Sequence, residues 1–425
     1  GFIALLQDRA PEISSAHQQA TYNVEERSEV TPHAVVVGAG PVGALCALLL
    51  AARGVAVTLV EQGGTWTTKS HASTFHPATL DLLSATGIDL VADPDAVRVS
   101  AVQWRDSRGR VLAEVDYRLV EALTAHPFRI HLDQQSLLDR CAALTAAQPL
   151  IAVEHGATVV GLDPRRPAVT VSAADGSRRD VAADVVLGCD GANSAIRAMS
   201  GIGFPAAEYP TGAVRAFVST DLAGLAAGPA MAGLCYFRGG GDGVSALRMS
   251  NHTRLIVRTT NERDDVDRLS QALGRATPFA LQDLDVDRVD SYRLRRGVAQ
   301  TYLSDTGPVL LLGDAAHVTS TAGGLNMNAG IHDAFALMPV VADWLFGRAE
   351  RQSVASIAEV RRRHLVEDVI PRTESRVRGL QDADPGALRR HLDDIGRLAD
   401  DPAAARRFLI EASLLDAPLM PAGPR

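Results

Sequence analysis

The stretch AVVVGAGPVGALCALLLAARGVAVTLVEQ, Ala34 to Gln62, constrains the fold more than any other part of the chain. An apolar strand runs into a glycine turn, the turn opens an apolar helix, Gly54 follows the helix as a stop signal, and a second strand ends at Glu61. Gly38, Gly40 and Gly43 sit where a tight turn, a close backbone approach and a close helix contact are needed. A helix N-terminus favours a pyrophosphate, and a carboxylate about 20 residues on suits a ribose hydroxyl. With Gln62 beside Glu61, this is the adenosine half of a dinucleotide site.

That unit predicts a parallel sheet, but the chain does not continue as a plain βα repeat. VQWRDSRGRVLAEVDY reads as two strands joined by a turn at Asp106–Gly109, and LDQQSLLDRCAALTAA as an amphipathic helix. DVVLGCDG holds another buried strand. From about Pro205 to Thr301 short alternating strands dominate, with one helix, DRLSQALGRA, among them. VLLLGDAAH then returns to a buried strand, followed by a helix carrying Pro339, which should kink it. The expected class is α/β: a Rossmann-like nucleotide domain with an interleaved, mostly antiparallel substrate sheet and a C-terminal helical segment. The expected divisions are an extension at 1–30, nucleotide-domain parts at 31–96, 121–204 and 301–350, a substrate-sheet hairpin at 97–120, the antiparallel domain at 205–300 and a helical module at 351–425.

The 425 residues suffice for two cores. A net charge of −8 carries no basic footprint for nucleic acid. The four cysteines, Cys46, Cys141, Cys189 and Cys235, form no C-x-x-C pair and read as buried thiols of a reducing compartment. No apolar run approaches the roughly 20 residues of a membrane span. The first residues lack the pattern of a signal peptide, so a cytoplasmic protein, monomeric or homodimeric, is expected.

FAD and NAD share the adenosine half, and GDAAHVTSTAGGLNMNAGIHDA, Gly313 to Ala334, separates them. Asp314 at a strand end suits the hydroxyls of a ribityl chain, which NAD lacks. The helix start that follows suits an electron-rich ring carbonyl.

With these motifs in this order, the chain resembles the FAD-dependent aromatic hydroxylases of the para-hydroxybenzoate hydroxylase type, the class A flavoprotein monooxygenases. The resemblance spans about Ala34 to Phe346. Its carriers are the glycine loop with Glu61, DVVLGCDGANSAIR, and VLLLGDAAH. It implies that Asp190 and Gly191 serve both FAD and NAD(P)H, that Asp314 holds the ribityl chain, and that Gln134 in FRIHLDQQSLL contacts the flavin. Gly324, Leu325, Asn326 and Asn328 would face the ring. His71 stands where the family commonly has an arginine at the pyrophosphate. The expected cofactor is FAD, with NAD(P)H as co-substrate.

The resemblance further implies that NAD(P)H reduces the flavin, that O2 forms a C4a-hydroperoxide, and that its distal oxygen attacks an electron-rich ring, a phenolic or related aromatic or polyketide-like molecule. Candidates for orienting or activating the substrate are Arg215, Tyr236 and Arg248 on the alternating strands. Thr321 joins them, in a VTST segment where the family often has proline. Asn326 replaces a glycine, and its tolerance of left-handed φ would preserve the turn. His317 and His332 read as packed structural residues, and Arg197 as a ligand of phosphate or of the nicotinamide ribose, or else a solvated side chain. The competing readings are a FAD-dependent reductase or dehydrogenase on the same fold, and a FAD-fold protein without enzymatic activity.

Overall fold

The computed structural model describes residues 31–66, 72–225, 230–239, 241–259, 265–379 and 385–419; the expectations placed on 1–30 and on His71 lie outside them. Its centre is a parallel sheet in the order Val309–Leu311, Val185–Gly188, His33–Val37, Ala56–Glu61, Ile151–His155. The inner strands are continuous apolar runs because both faces are covered. Val35, Val36, Leu59, Val186 and Leu310 are all buried.

The helix Pro41–Ala51 has no polar face, and Gly43 to Ala51 are all buried. It is enclosed between Gln134–Ala146 and the long helix Leu325–Leu345, which suits a chain segment without a charged residue. Each fully buried leucine there contributes about 1.5–3 kcal/mol of transfer free energy. Pro339 lies within Leu325–Leu345, and the helix continues beyond it. Two close approaches fix how these helices cross: a Cβ on Gly330 would lie 2.9 Å from Gly313 Cα, and one on Gly313 would lie 2.9 Å from Val42 Cγ2. The GDAAH turn, the glycine loop and the long helix are thereby locked together.

A seven-stranded sheet forms the second layer, in the order Val286–Tyr292, Gly212–Val218, Thr253–Thr259, Asp242–Arg248, Leu234–Gly239, Ala101–Asp106, Val111–Asp116. Only Leu234–Gly239 and Ala101–Asp106 pair in parallel. Alternation gives it two different faces. Val214, Ala216, Phe237, Val244, Leu255 and Val257 form an apolar cluster with the helix Asp265–Ala276. The opposite face carries a cross-strand row of Trp104, Tyr236, Ser245, Ile256, Arg215 and Asp290. A neighbouring row runs Arg238, Gly243, Arg258, Ala213, Tyr292.

The C-terminal helices do not form a separate core. Arg351–His364 packs on the long helix, while Ile395 and Leu409 from Pro385–Asp400 and Pro402–Ala412 join Val102, Trp104, Val115 and Tyr117 of the hairpin strands. All four cysteines are buried and free. No described helix is long and apolar enough to cross a membrane, and the described residues hold no cluster of three His, Cys, Asp or Glu side chains fit for a metal.

Candidate functional site

Two helix N-termini converge on the ends of the parallel strands. At Pro41–Ala51 no side chain caps the start, no acidic residue lies in the first turn, and a Cβ on Gly40 would meet nothing within 4 Å. The loop is tight elsewhere: Gly38 has φ +101° and its would-be Cβ lies 2.5 Å from Cys189 O, while that of Gly43 lies 1.9 Å from Gly38 O. Only glycine fits those two positions, and only at Gly40 does the bare backbone face open space. Glu61 holds the loop from the next strand, accepting from Ala39 N–H at 2.8 Å and Gly63 N–H at 2.7 Å. Gln62 beside it is exposed.

The second helix start, Leu325–Leu345, also lacks a side-chain cap and an acidic first turn. It is entered through Gly323 at φ +86° and Gly324 at φ +67°. A Cβ on Gly323 would lie 1.8 Å from Arg376 Nη1, and one on Gly324 3.1 Å from Thr74 Cβ. Here the structure corrects one expectation. Asn326 occupies the helix's first turn, not a left-handed position; the two glycines before it supply the turn. Its side chain is a bridge: Nδ2 donates to Asp314 Oδ1 at 2.8 Å and Oδ1 lies 3.1 Å from His317 Nδ1.

Asn328 differs from expectation too. It is wholly buried and spends its amide on scaffolding, donating to Thr74 O at 2.9 Å and Gly324 O at 2.7 Å and accepting from His76 N–H at 3.1 Å. Leu325 turns its side chain into an apolar cluster with Leu365, Val369 and Leu414, leaving only its backbone for the site. Gln134 starts its helix nearly buried, its N–H donating to Ala72 O at 3.3 Å. His76 Nε2 lies 2.9 Å from Gly323 O; a carbonyl only accepts, so Nε2 carries the hydrogen and Nδ1 is a buried, unpartnered acceptor. Burial, then the charges of Arg129 and Arg376, push His76 well below its ordinary value, so it is neutral.

Asp190 binds the start of the short helix Ala195–Met199. It accepts from Ser194 Oγ at 2.5 Å, Ala195 N–H at 2.7 Å and Ile196 N–H at 3.1 Å. Gly191 follows at φ +82°, with open space at its would-be Cβ. Arg197 is neither solvated nor a free phosphate ligand. It donates to Ala315 O and Ala192 O, both at 2.8 Å, and covers Phe204, tying this turn to the GDAAH turn.

Of the substrate-side candidates, Arg215 and Tyr236 share the sheet face opposite the apolar cluster. Arg215 pairs with Asp290 at 3.0 Å, and its Nε is buried without a partner. Thr321 Oγ1 lies 3.4 Å from Tyr292 Oη, linking the VTST segment to that face. Arg248 does not join them: three positions from Ser245 on the same strand, it has the opposite parity, and it is exposed.

Behind Asp314 lies a buried polar chain that sequence reasoning missed. His317 Nε2 is 2.7 Å from Asp333 Oδ2, and Arg361 Nε donates to Asp333 Oδ1 at 2.8 Å. Arg361 also donates to Ala329 O and Pro418 O. Asn326 and Asp333 stand seven apart, one face of one helix, which was a usable signal. Arg361 sits in a run of three arginines and offered none. His332, also buried, places Nε2 3.1 Å from Thr79 Oγ1.

The arrangement fits FAD. Two uncapped helix starts and an open glycine face suit its pyrophosphate and ring carbonyl, and Asp314 is exposed between them. A family model described as FAD binding domain matches residues 31–373. The chain belongs to that family, and it is an enzyme of the class A flavoprotein monooxygenases, the FAD-dependent aromatic hydroxylases. Para-nitrophenol 4-monooxygenase of Pseudomonas sp. (strain WBC-3) is 24% identical over 388 residues, covering 90% of this chain and 95% of its own length. The 6-hydroxy-3-succinoylpyridine 3-monooxygenase of Pseudomonas putida is 28% identical over 364 residues, covering 83% of this chain and 90% of its own length. The crystal structure of p-nitrophenol 4-monooxygenase from Pseudomonas putida has a TM-score of 0.82 at 22% identity, over 91% of this chain and 98% of that one, a likeness of fold.

Proposed function

We propose that this protein uses NAD(P)H and O2 to hydroxylate a small hydroxyaromatic molecule lying between the flavin and the polar face of the seven-stranded sheet. The observation that carries this reading is the uncapped start of Leu325–Leu345 joined, through Thr321 and Tyr292, to a sheet face bearing Arg215 and Tyr236. The relatives named above act on a nitrophenol and a hydroxypyridine by their names, which agrees with an electron-rich ring.

The bound flavin supplies oxygen activation and transfer. The chain's part is holding and shielding. Gly38, Gly40, Gly43, Glu61 and Gln62 would take the adenosine half, Asp190 and Gly191 would serve both FAD and NAD(P)H, Gln134 would contact the flavin, and Asp314 would hold the ribityl chain. The backbone N–H of Leu325 would face the ring carbonyl, while that of Gly324 closes the turn by donating to Thr321 O at 3.1 Å. The helix dipole there is worth about 0.3–2 kcal/mol toward negative charge on the ring. Tyr236 and Arg215 orient the ring hydroxyl, and the sheet excludes water. The domain divisions given above belong to the same proposal.

The test is NADH and NADPH oxidation by the FAD-loaded protein across a panel of phenols and hydroxypyridines, with mass spectrometry after turnover in 18O2. Substrate-stimulated oxidation with one labelled oxygen in the product is expected. Oxidation without incorporation assigns the protein to reductases or dehydrogenases, and a colourless protein that takes up no FAD removes the enzymatic reading.

A further inference from the structure

Asn326 touches two charged groups at once. Its Nδ2 donates to Asp314 Oδ1 at 2.8 Å, and its Oδ1 lies 3.1 Å from His317 Nδ1. A side-chain amide has one end that donates and one that accepts, so its orientation toward one neighbour dictates what the other meets. A carboxylate only accepts. Asp314 therefore takes the N–H end, and His317 must bring a hydrogen to the oxygen. Asn326 stands where the family usually has glycine, and glycine could make neither bond. It sits half-buried in the first turn of Leu325–Leu345, between an exposed carboxylate and a fully buried ring.

The charge on that ring is set from several sides. Asp333, on the same long helix, faces Nε2 at 2.7 Å, and Arg361, on Arg351–His364, donates to its other oxygen at 2.8 Å. Tyr302 stacks on the ring with centroids 6.1 Å apart, and burial pushes its hydroxyl well above the ordinary value, so it stays neutral. His332, next to Asp333 on the helix, is pushed down to about 3 by burial and then by Arg361, so it is neutral too. Arg197 approaches the GDAAH turn from its own side, donating to Ala315 O at 2.8 Å. Burial opposes a charge on His317, but Asp333, then Asn326 and Asp314, outweigh it and hold the ring above its ordinary value.

When His317 loses a proton, Nδ1 gives it up, because Nε2 faces an ionised carboxylate. Nδ1 then becomes an acceptor opposite the Asn326 oxygen, and the bond between them is gone. The terminal torsion of asparagine is broad and roughly two-fold, so the amide can turn over. Turning restores a hydrogen bond to His317 but aims the amide oxygen at the Asp314 carboxylate. An unmade hydrogen bond costs more in the interior than at the surface. The buried contact is therefore kept, and the exposed Asp314 is displaced. We propose that Asn326 is a positioning residue for the flavin: it transmits the charge of buried His317 to the Asp314 carboxylate, so that FAD is held tightly while His317 is protonated and loosely once the ring is neutral. The inference rests on Asp314 as the ribityl ligand and not on hydroxylation. By reciprocity, FAD binding draws a proton onto His317 with the same coupling.

The full chain, stripped of flavin, is titrated with FAD from about pH 6 to about pH 9, across the range where a raised histidine loses its charge. Flavin fluorescence reads binding, and circular dichroism at each pH checks that the protein is folded. The Kd for FAD should rise about fivefold or more with pH. Calorimetry in two buffers of different ionisation enthalpy should show proton uptake on binding at the pH where Kd climbs. Asn326→Gly keeps the His317–Asp333 pair and removes the link. Its Kd should stay flat, near the high-pH value of the unaltered protein, and its binding should take up no proton. Should the glycine variant not fold, Asn326→Ala is read in its place with the same expectation. A flat Kd in the unaltered protein overturns the proposal. So do a rise and a proton uptake that persist undiminished without the Asn326 side chain. Asp314→Ala separates the two layers of the argument. If it binds FAD normally, the ribityl assignment falls; if it binds weakly while the unaltered protein shows no pH dependence, the assignment stands and only the amide link falls.

Discussion

His317 and Asp333 face each other in the interior, Nε2 to Oδ2 at 2.7 Å, with neither side chain exposed. Because Asn326 turns its Nδ2 to the Asp314 carboxylate, its oxygen is left for His317 Nδ1. Both ring nitrogens therefore donate, which makes His317 an imidazolium. Burial alone would lower His317, but the Asp333 carboxylate and its hydrogen bond raise it above 6.5. Burial alone would raise Asp333, but Arg361 and His317 hold it below 3.8.

Stability should therefore have two pH limbs of opposite sign. The His317 contribution is complete below pH 6.5 and is lost as pH rises through its raised folded value. The Asp333 contribution is present above pH 3.8 and is lost as pH falls through its lowered folded value. Urea denaturation across this range should show both losses, and His317→Gln should flatten the alkaline one. An unchanged alkaline limb in that variant would refute the imidazolium.

Asp333→Asn leaves Arg361 buried beside a neutral partner. Breaking a buried pair in this way costs about 3–5 kcal/mol. The urea midpoint should fall accordingly, and a loss under 1 kcal/mol would mean that water or a rearranged neighbour replaces the carboxylate.

Asp314→Ala removes the exposed carboxylate at the strand end, which accepts from Asn326 Nδ2 on Oδ1. Flavin should be lost, read as the disappearance of the yellow absorbance, with little change in the fold by circular dichroism. Full flavin retention would contradict the ribityl assignment.

Gly324→Val places a branched side chain at φ +67°, against Thr74. The left-handed backbone alone costs roughly 1–2 kcal/mol. Flavin binding or reduction should suffer more than the Tm; unchanged spectra and turnover would show that nothing approaches this backbone.

Arg215→Ala and Arg248→Ala form a matched pair. Arg248 is exposed on the other parity, so its removal should change stability by less than about 0.5 kcal/mol and leave turnover intact. Arg215, paired with Asp290 and facing the proposed substrate side, should lower kcat/KM when removed. Equal effects would erase the distinction between the two faces.

The parallel strands and the glycine loop were legible because a fully buried βα unit leaves a continuous apolar run and a fixed glycine spacing. The alternating strands of the second sheet were legible as strands, but not their partners: Arg248 looked equivalent to Arg215 until register assigned each a face. Asn328 read as a cofactor contact because its motif is the cofactor's; its bonds to Thr74 and His76 join segments that no local pattern connects. Arg361 and Arg376 were illegible for a different reason. Each sits on a charged helix where arginine is the usual surface residue, and only packing shows that these two point inward.

The long-range pairs that close the site and its parallel sheet also order their assembly in time. Asn328 bonds to Thr74 across 254 positions, and His33 to Asp184 across 151. A ribosome delivers the glycine loop long before the residues that complete its pocket, so the nascent chain carries an apolar, half-built sheet through most of its synthesis. Contacts this distant make for slow, late consolidation. Flavin capture thus reports the last event of folding, and its lag behind secondary structure in a refolding experiment measures how long the chain waits for its own C-terminal third.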